Sequence, residues 1–375
     1  MKRNSTIALL VIVNCVVSLF TLAQNPIYDN EKLVTINGFT IDAMEPHLHT
    51  NDSALFFNSL NDGVNTSLFF ALRINDTTFN LVGAVPVVNQ TVTPRLDAVA
   101  SIDTMDNFYW VSTRGYPADF DNLHRIRFLQ SGYTNFGRVH GDVYTYQPGY
   151  IIMDAAVNYY GDQLIYCNAY FNMSICGSIP CDASMGIAQK VNDSTFNKLP
   201  NTSTIMASIN DTANFCVYAP NLTKDGLEFY YTRFLKTAFN TEIMVATRSN
   251  TNSAFGAPSI LVGSPNVVPE APTLTADKSK MYYHKKVGST YKIFVRYRQL
   301  STEIKENSLE DISLAHPNPA NTVLNFKKEI FVTVYDLSGK IKFSGTTNEI
   351  NVSEWANGIY FAKSGSSSFK FIVSH

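Results

Sequence analysis

Five residues, Glu45, Asp97, Asp154, Tyr218 and Glu270, recur at nearly the same place in a repeating phrase of this 375-residue chain. Each lies seven to nine residues before an aspartate, at positions 52, 106, 162, 225 and 277. Four of the five are carboxylates. Brought to one point they repel one another, so some keep their protons above the ordinary range or recruit a cation, calcium being the natural choice for an all-oxygen site. Two carboxyl groups about 5 Å apart suit glycoside hydrolysis with retention, and about 6.5–9.5 Å apart with inversion. A structural or solvent-facing role is the quieter reading of the same residues, and it has the stronger claim. His47 and His49 alternate along one strand, as a metal pair or as hydrogen-bonded strand histidines. Tyr230-Tyr231 and Tyr282-Tyr283 offer rings to a ligand or pack between sheets. No phosphate loop, dinucleotide glycine motif, nucleophile elbow or His-Glu-x-x-His is present. The residues favour binding over catalysis, with no cofactor required.

The elements that must position them are strands. Around Asp225 the chain reads Ala219-Pro220-Asn221-Leu222-Thr223-Lys224-Asp225-Gly226-Leu227-Glu228-Phe229-Tyr230-Tyr231, a strand, a tight turn at Lys-Asp-Gly and an aromatic strand. Variants of the phrase surround Asp52, Asp106, Asp162 and Asp277. The aspartates are 54, 56, 63 and 52 residues apart, a period that marks radial or linear repetition. A third alternating strand follows in every copy, and a weaker fourth in the first four, as at Leu81-Val82-Gly83 and Ile260-Leu261-Val262. Four antiparallel strands per repeat make one blade of a β-propeller. The fifth copy lacks its fourth strand, and a spare one, Lys32 to Asn37, precedes the first copy. Pairing the two closes a five-bladed ring and removes both open edges.

Hydrophobic residues make up 45% of the chain and charged residues 16%, with a net charge of −2, which argues for a folded core and against nucleic acid or anionic membrane as partner. Residues 1–24 read as a signal peptide, with Lys2 and Arg3 before an apolar run from Ile7 to Leu22. Four cysteines remain beyond it, Cys167, Cys176, Cys181 and Cys216. In an exported chain they point to disulfides, with three connectivities open. Cys176 and Cys181 are spaced to close a small loop, which would leave Cys167 and Cys216 to join neighbouring strands; a four-thiolate zinc site is the alternative. They fall in the longest interval, so an insertion projects from the third copy.

The domains expected are the signal peptide, a propeller over 25–300, a polar linker over 301–308 and a small β-sandwich over 309–375, all-β throughout. The phrase of proline, two or three residues, Thr-x-Asp-Gly/Lys and an aromatic strand resembles the TolB-type propeller repeat. That resemblance covers about residues 40–300 and implies fold, not activity. Five-bladed glycosidases of the arabinanase type carry three acidic inner-strand residues. The sialidase Asp-box is absent. The C-terminal stretch resembles the type A sorting domain of the type IX secretion system of Bacteroidetes. Its motifs are Pro317-Asn318-Pro319, Tyr335-Asp336 with Gly339-Lys340, Gly358-Ile359-Tyr360 and Lys370 in the terminal strand. The resemblance implies export by that machinery and a secreted or outer-membrane-surface location. Together these readings describe a secreted or surface propeller that binds a glycan, peptide or protein; an extracellular glycoside hydrolase is the alternative. Oligomeric state and ligand identity are not written in the sequence.

Overall fold

The computed structural model describes residues 25–62, 64–129, 132–263, 267–299, 315–364 and 367–375. The signal peptide and the linker expected over 301–308 lie outside the described residues. The chain divides into two compact units, residues 1–299 and 300–375. The described residues are almost entirely β-strand, and no helix among them is long and apolar enough to cross a membrane.

Unit one contains five sheets in chain order, antiparallel apart from a short parallel edge strand on the first and on the second. The first is built from Met44–Leu48, Ala54–Asn58, Leu68–Asn75 and Thr78–Ala84. The second comprises Arg95–Ile102, Asn107–Ser112, Leu123–Leu129 and Gly132–Arg138, and the third Tyr150–Val157, Gln163–Tyr170, Asp182–Asn192 and Thr195–Lys198. Phe215–Leu222, Glu228–Leu235, Ala238–Thr247 and Ser259–Gly263 form the fourth. In the fifth, Glu270–Leu274, Lys280–Val287 and Thr290–Arg298 are completed by the N-terminal strand Tyr28–Leu33, which pairs Tyr28 with Arg298. The spare strand thus joins sheet five, but earlier than the sequence suggested. Its continuation, Thr35–Asn37, instead lies parallel to Thr78–Ala84 at the outer edge of sheet one. One short segment therefore covers an edge of two sheets.

Apolar side chains from neighbouring sheets interdigitate. Phe56 of sheet one meets Phe108 and Trp110 of sheet two. Tyr109 packs with Tyr166 between sheets two and three, and Met185 with Tyr231 between three and four. Tyr230 meets Tyr283 between sheets four and five, and Tyr282 meets Phe57 and Phe79 between five and one. The tyrosine pairs Tyr230-Tyr231 and Tyr282-Tyr283 are fully buried. They are packing residues, not rings offered to a ligand.

The strand-to-strand turns explain why the aspartates misled in phase. The residue whose backbone N–H bonds across the turn is His49, Asp103, Asn158, Thr223 and Thr275 in the five sheets. In four of them its side chain also accepts from the returning strand, for example Thr223 Oγ1 from Glu228 N–H at 3.1 Å and Asp103 Oδ1 from Asn107 N–H at 3.0 Å. Asp225 and Asp277 lie two residues on and accept from Thr223 and Thr275 at 2.6 Å each. Gly226 takes the positive φ of 70° that this turn requires. In sheets one to three the counted aspartate sits one or two places off that register.

The third sheet carries the insertion. Cys176 and Cys181 form a disulfide there, as their spacing suggested. Cys167 and Cys216 are not bonded: both are buried free thiols, donating to Val217 O and Pro180 O respectively. They face the same core from neighbouring sheets but point their sulfurs at separate carbonyls.

Unit two is one four-stranded sheet, Val323–Asp336, Ile341–Asn351, Gly358–Ser364 and Ser367–Val373, in place of the expected pair of packed sheets. The long first strand slips register between Asn325 and Ile330, so both its halves line one core with Ile350, Tyr360 and Phe371. The motif residues are turn and staple. Asn318 Oδ1 accepts from Ile372 N–H at 2.9 Å, and Asp336 Oδ1 accepts from Ser338 and Lys340 N–H. Gly339 adopts φ of 81°, Tyr360 is buried, its hydroxyl donating to Ala356 O, and Lys370 pairs across from Phe361.

Candidate functional site

The first strand of four of the five sheets is interrupted at the same level; in sheet three the register shifts earlier, between Ile152 and Asp154. Two residues bulge between Met44 and His47, Ala98 and Ser101, Tyr218 and Asn221, and Glu270 and Thr273. The first bulged residue, Glu45, Val99, Ala219 or Ala271, has φ near +50° to +57°. Such a conformation costs of order 1–3 kcal/mol in a non-glycine residue, so the surroundings must hold it. They do so through the released amide, which must find a partner. Asn58 Oδ1 of sheet one accepts from Val99 N–H of sheet two at 3.5 Å, and Thr232 Oγ1 of sheet four from Ala271 N–H of sheet five at 3.0 Å. His284 Nδ1 of sheet five accepts from Glu45 N–H of sheet one at 3.0 Å.

Bulges re-aim side chains. In register, Asp154, Tyr218 and Glu270 are equivalent, paired with Cys167, Thr232 and His284. Glu45 is one residue further on and swings toward them through its bulge. Asp97 is one residue earlier, paired with Ser112, and alternation turns it away. Fully buried, it accepts from Gln90 N–H at 2.7 Å and Trp110 Nε1 at 3.3 Å, with Arg114 at 3.9 Å. Asp97 is a structural carboxylate and leaves the candidate site.

The remaining four meet. Tyr218 Oη donates to Glu270 Oε1, and His284 Nε2 lies 3.0 Å from Glu270 Oε2. Because His284 Nδ1 is an acceptor, its proton sits on Nε2 and is donated to Glu270. Both oxygens of Glu270 are therefore satisfied. Glu45 Oε1 accepts from Asn61 at 3.3 Å, while Glu45 Oε2 and Asp154 Oδ2 are buried with no hydrogen-bond partner. They line a cavity of about 30 Å³, walled by Pro46, Ala155, Ala156, Pro220 and Pro272. Burial, reinforced by Asp154 and Glu270, pushes the Glu45 carboxyl well above its ordinary range. Burial, with Glu270 adding and the Ala219 N–H opposing, raises Asp154 to about 7. The Tyr218 hydroxyl is likewise pushed far up by burial and by Glu270, so it stays a donor.

A second cavity, of about 50 Å³, continues toward the turns and is lined by His47, His49, Tyr159 and Lys224. His47 Nε2 accepts from Ile102 N–H at 3.4 Å and burial lowers its pKa to about 4, so it is neutral. His49 pairs with Asp106 at 3.1 Å. The two histidines serve backbone and carboxylate partners, not a shared metal. Among the described residues no three His, Cys, Asp or Glu side chains are grouped to hold a metal ion. Sequence reasoning missed Asn58, Thr232 and His284. Their signal was a polar residue closing the phrases Leu55-Phe56-Phe57-Asn58, Phe229-Tyr230-Tyr231-Thr232 and Met281-Tyr282-Tyr283-His284.

No curated protein matches the chain in sequence. Similar solved structures include a glycoside hydrolase at 8% identity, covering 70% of this chain and 89% of that one with a TM-score of 0.49. Zg3597, a family 117 glycoside hydrolase of the marine bacterium Zobellia galactanivorans, is 11% identical, with coverage of 72% and 90% and a TM-score of 0.45. A luciferin-regenerating enzyme is 8% identical, with coverage of 74% and 96% and a TM-score of 0.42. At such scores none of them bears on the activity of this chain. Residues 314–374 match the family model described as the secretion system C-terminal sorting domain. The tail is therefore a sorting domain whose partner is the type IX secretion machinery, and the protein is exported to the cell surface or the extracellular space.

Proposed function

We propose that the five sheets are the blades of a closed, TolB-type five-bladed propeller and that the exported protein is a binding module with its site in the central channel. The aromatic cores between neighbouring sheets, including five and one, and the shared N-terminal segment support the ring. The functional reading rests on one observation: Glu45 Oε2 and Asp154 Oδ2 are buried beside a cavity without a partner. Leaving such atoms unpaired costs about 1–3 kcal/mol each, more when charged, and a ligand group that meets them recovers it. A cavity of about 30 Å³ admits a small polar group and not a sugar ring, which favours binding over hydrolysis.

Glycoside hydrolysis is the second reading, favoured by the unlike surroundings of the carboxyls. Burial raises Asp154 to about 7, as suits a general acid, while both oxygens of Glu270 accept hydrogen bonds, from Tyr218 and His284. Calorimetric titration of the full chain with oligosaccharides and peptides, alongside Asp154→Asn, tests both. Binding weakened at least tenfold in the variant is the expected result, and product analysis of the bound ligand then separates lectin from hydrolase. Equal binding by the variant would remove the channel as the site.

A further inference from the structure

Deepening the channel-binding reading, and resting on it, we infer that the site takes the primary ammonium group of an unbranched alkyl chain, as at the end of a lysine side chain. Three carboxyl groups from three sheets converge there, and among the described residues no lysine or arginine forms an ion pair with Glu45, Asp154 or Glu270; their one such contact is neutral His284. The cluster lacks a cation, and Asp154, 2% exposed, turns an unpartnered oxygen into the cavity.

Counting acceptors selects the cation. Glu270 is occupied by Tyr218 and His284, leaving Glu45 Oε2 and Asp154 Oδ2 as the unpartnered carboxyl oxygens of the cluster. Calcium asks for six to eight oxygens and magnesium for an octahedron. An ammonium offers three rotatable donors, which two carboxylates and a backbone carbonyl or water satisfy. The space of about 30 Å³ fits one such head group. The lining selects the stem: Pro46, Ala155, Ala156, Pro220 and Pro272 present an apolar wall that suits methylenes. An amino sugar carries its nitrogen directly on a ring, which a cavity of about 30 Å³ does not admit. Glu45 is half-buried and touches exposed Asn61, so the site opens on that side.

The charged or titratable groups facing Asp154 are Glu45, Glu270, Tyr218 and the Cys167 thiol, with His284 beyond Glu270 and His47 one step along the channel. Binding an ammonium favours the ionised forms of Asp154 and Glu45, so it releases protons and strengthens as pH rises through about 7.

The test titrates the full chain with n-butylamine, a lysine-containing tripeptide, its acetyl-lysine counterpart, glucosamine and calcium chloride at pH 5 and pH 8. The expected result is binding of the amine and the lysine peptide at pH 8, at least tenfold weaker at pH 5. Acetylation should abolish it, and Asp154→Asn or Glu45→Gln should weaken it at least tenfold while circular dichroism stays native. A tighter peptide than free amine makes the partner a polypeptide, and the reverse makes it a free alkylamine; both support the inference. Equal affinity for acetyl-lysine, or binding of glucosamine or calcium in place of the alkylamines, overturns it. A neutral ligand that binds and is lost in Asp154→Asn keeps the channel as the site but overturns the ammonium assignment.

Discussion

Glu228→Ala is expected to lower the unfolding free energy by about 3 kcal/mol at pH 7, read by urea denaturation. Glu228 is 7% exposed and gathers Arg298 at 2.9 and 3.0 Å, Lys278 at 3.0 Å and the Tyr230 hydroxyl at 2.6 Å. Arg298 pairs with Tyr28 of the N-terminal strand, and the Tyr28 hydroxyl lies 3.3 Å from that of Tyr230. The carboxylate therefore ties sheet four to sheet five and to the strand that completes it. Removing it leaves Arg298 without its carboxylate beside buried tyrosines, while Lys278 keeps Asp225 at 2.6 Å. Against the penalty of burial, the bonds from Arg298, Tyr230 and Lys278 hold its pKa below the ordinary carboxylate range. A depressed pKa contributes stability above the unfolded value, so this contribution disappears as pH falls through the folded one. Arg298→Ala should cost a similar amount, and the double variant should lose less than the two single losses together. By contrast, Asp193→Ala, which breaks an exposed pair with Lys190, should stay within about 0.5 kcal/mol. A loss from Glu228→Ala as small as that would mean the N-terminal strand is held by something else.

Asp154→Asn should do the opposite, raising stability at pH 8 by roughly 1–3 kcal/mol with little change at pH 4. Its carboxyl is raised from 3.8 to about 7 by burial and by Glu270. Between those values the unfolded chain ionises while the folded one keeps its proton, so stability is full below the unfolded pKa and falls as pH rises through the folded one. The asparagine has the same shape and no charge to bury. The Asp154 carboxyl thus costs stability at neutral pH, as expected of a group retained for a site. Destabilisation at pH 8 would show Asp154 to be a structural carboxylate like Asp97.

Much of this was legible in the chain. The period, the aromatic strand after each turn and the missing fourth strand of the fifth copy translate directly into five sheets and their N-terminal partner. The phase was not legible, because turns of different length hide the register. Counting back from Asp106 lands on Asp97, one place out, and one place in a strand is the other face. Counting from Asp52 reaches Glu45, which belongs with the cluster only because its bulge turns it back. A bulge leaves no mark in composition when valine, alanine and glutamate all occupy it. The cysteines illustrate the same limit: the six-residue segment Cys176–Cys181 fixes its own geometry, whereas Cys167 and Cys216 depend on where two strands aim their sulfurs. In the tail, the motif residues sit in turns and pairings of short range, whereas the single sheet turns on one long strand with a register slip.

The most direct measurement is the infrared carboxyl spectrum of the full chain, taken as the difference between wild type and Asp154→Asn, from pH 5 to pH 9. A protonated carboxylic acid present in the wild type at pH 6, absent from the variant and titrating away near pH 7, is the result expected if Glu45, Asp154 and Glu270 share the channel. A group already ionised at pH 5 would place Asp154 in ordinary solvent and contradict the site.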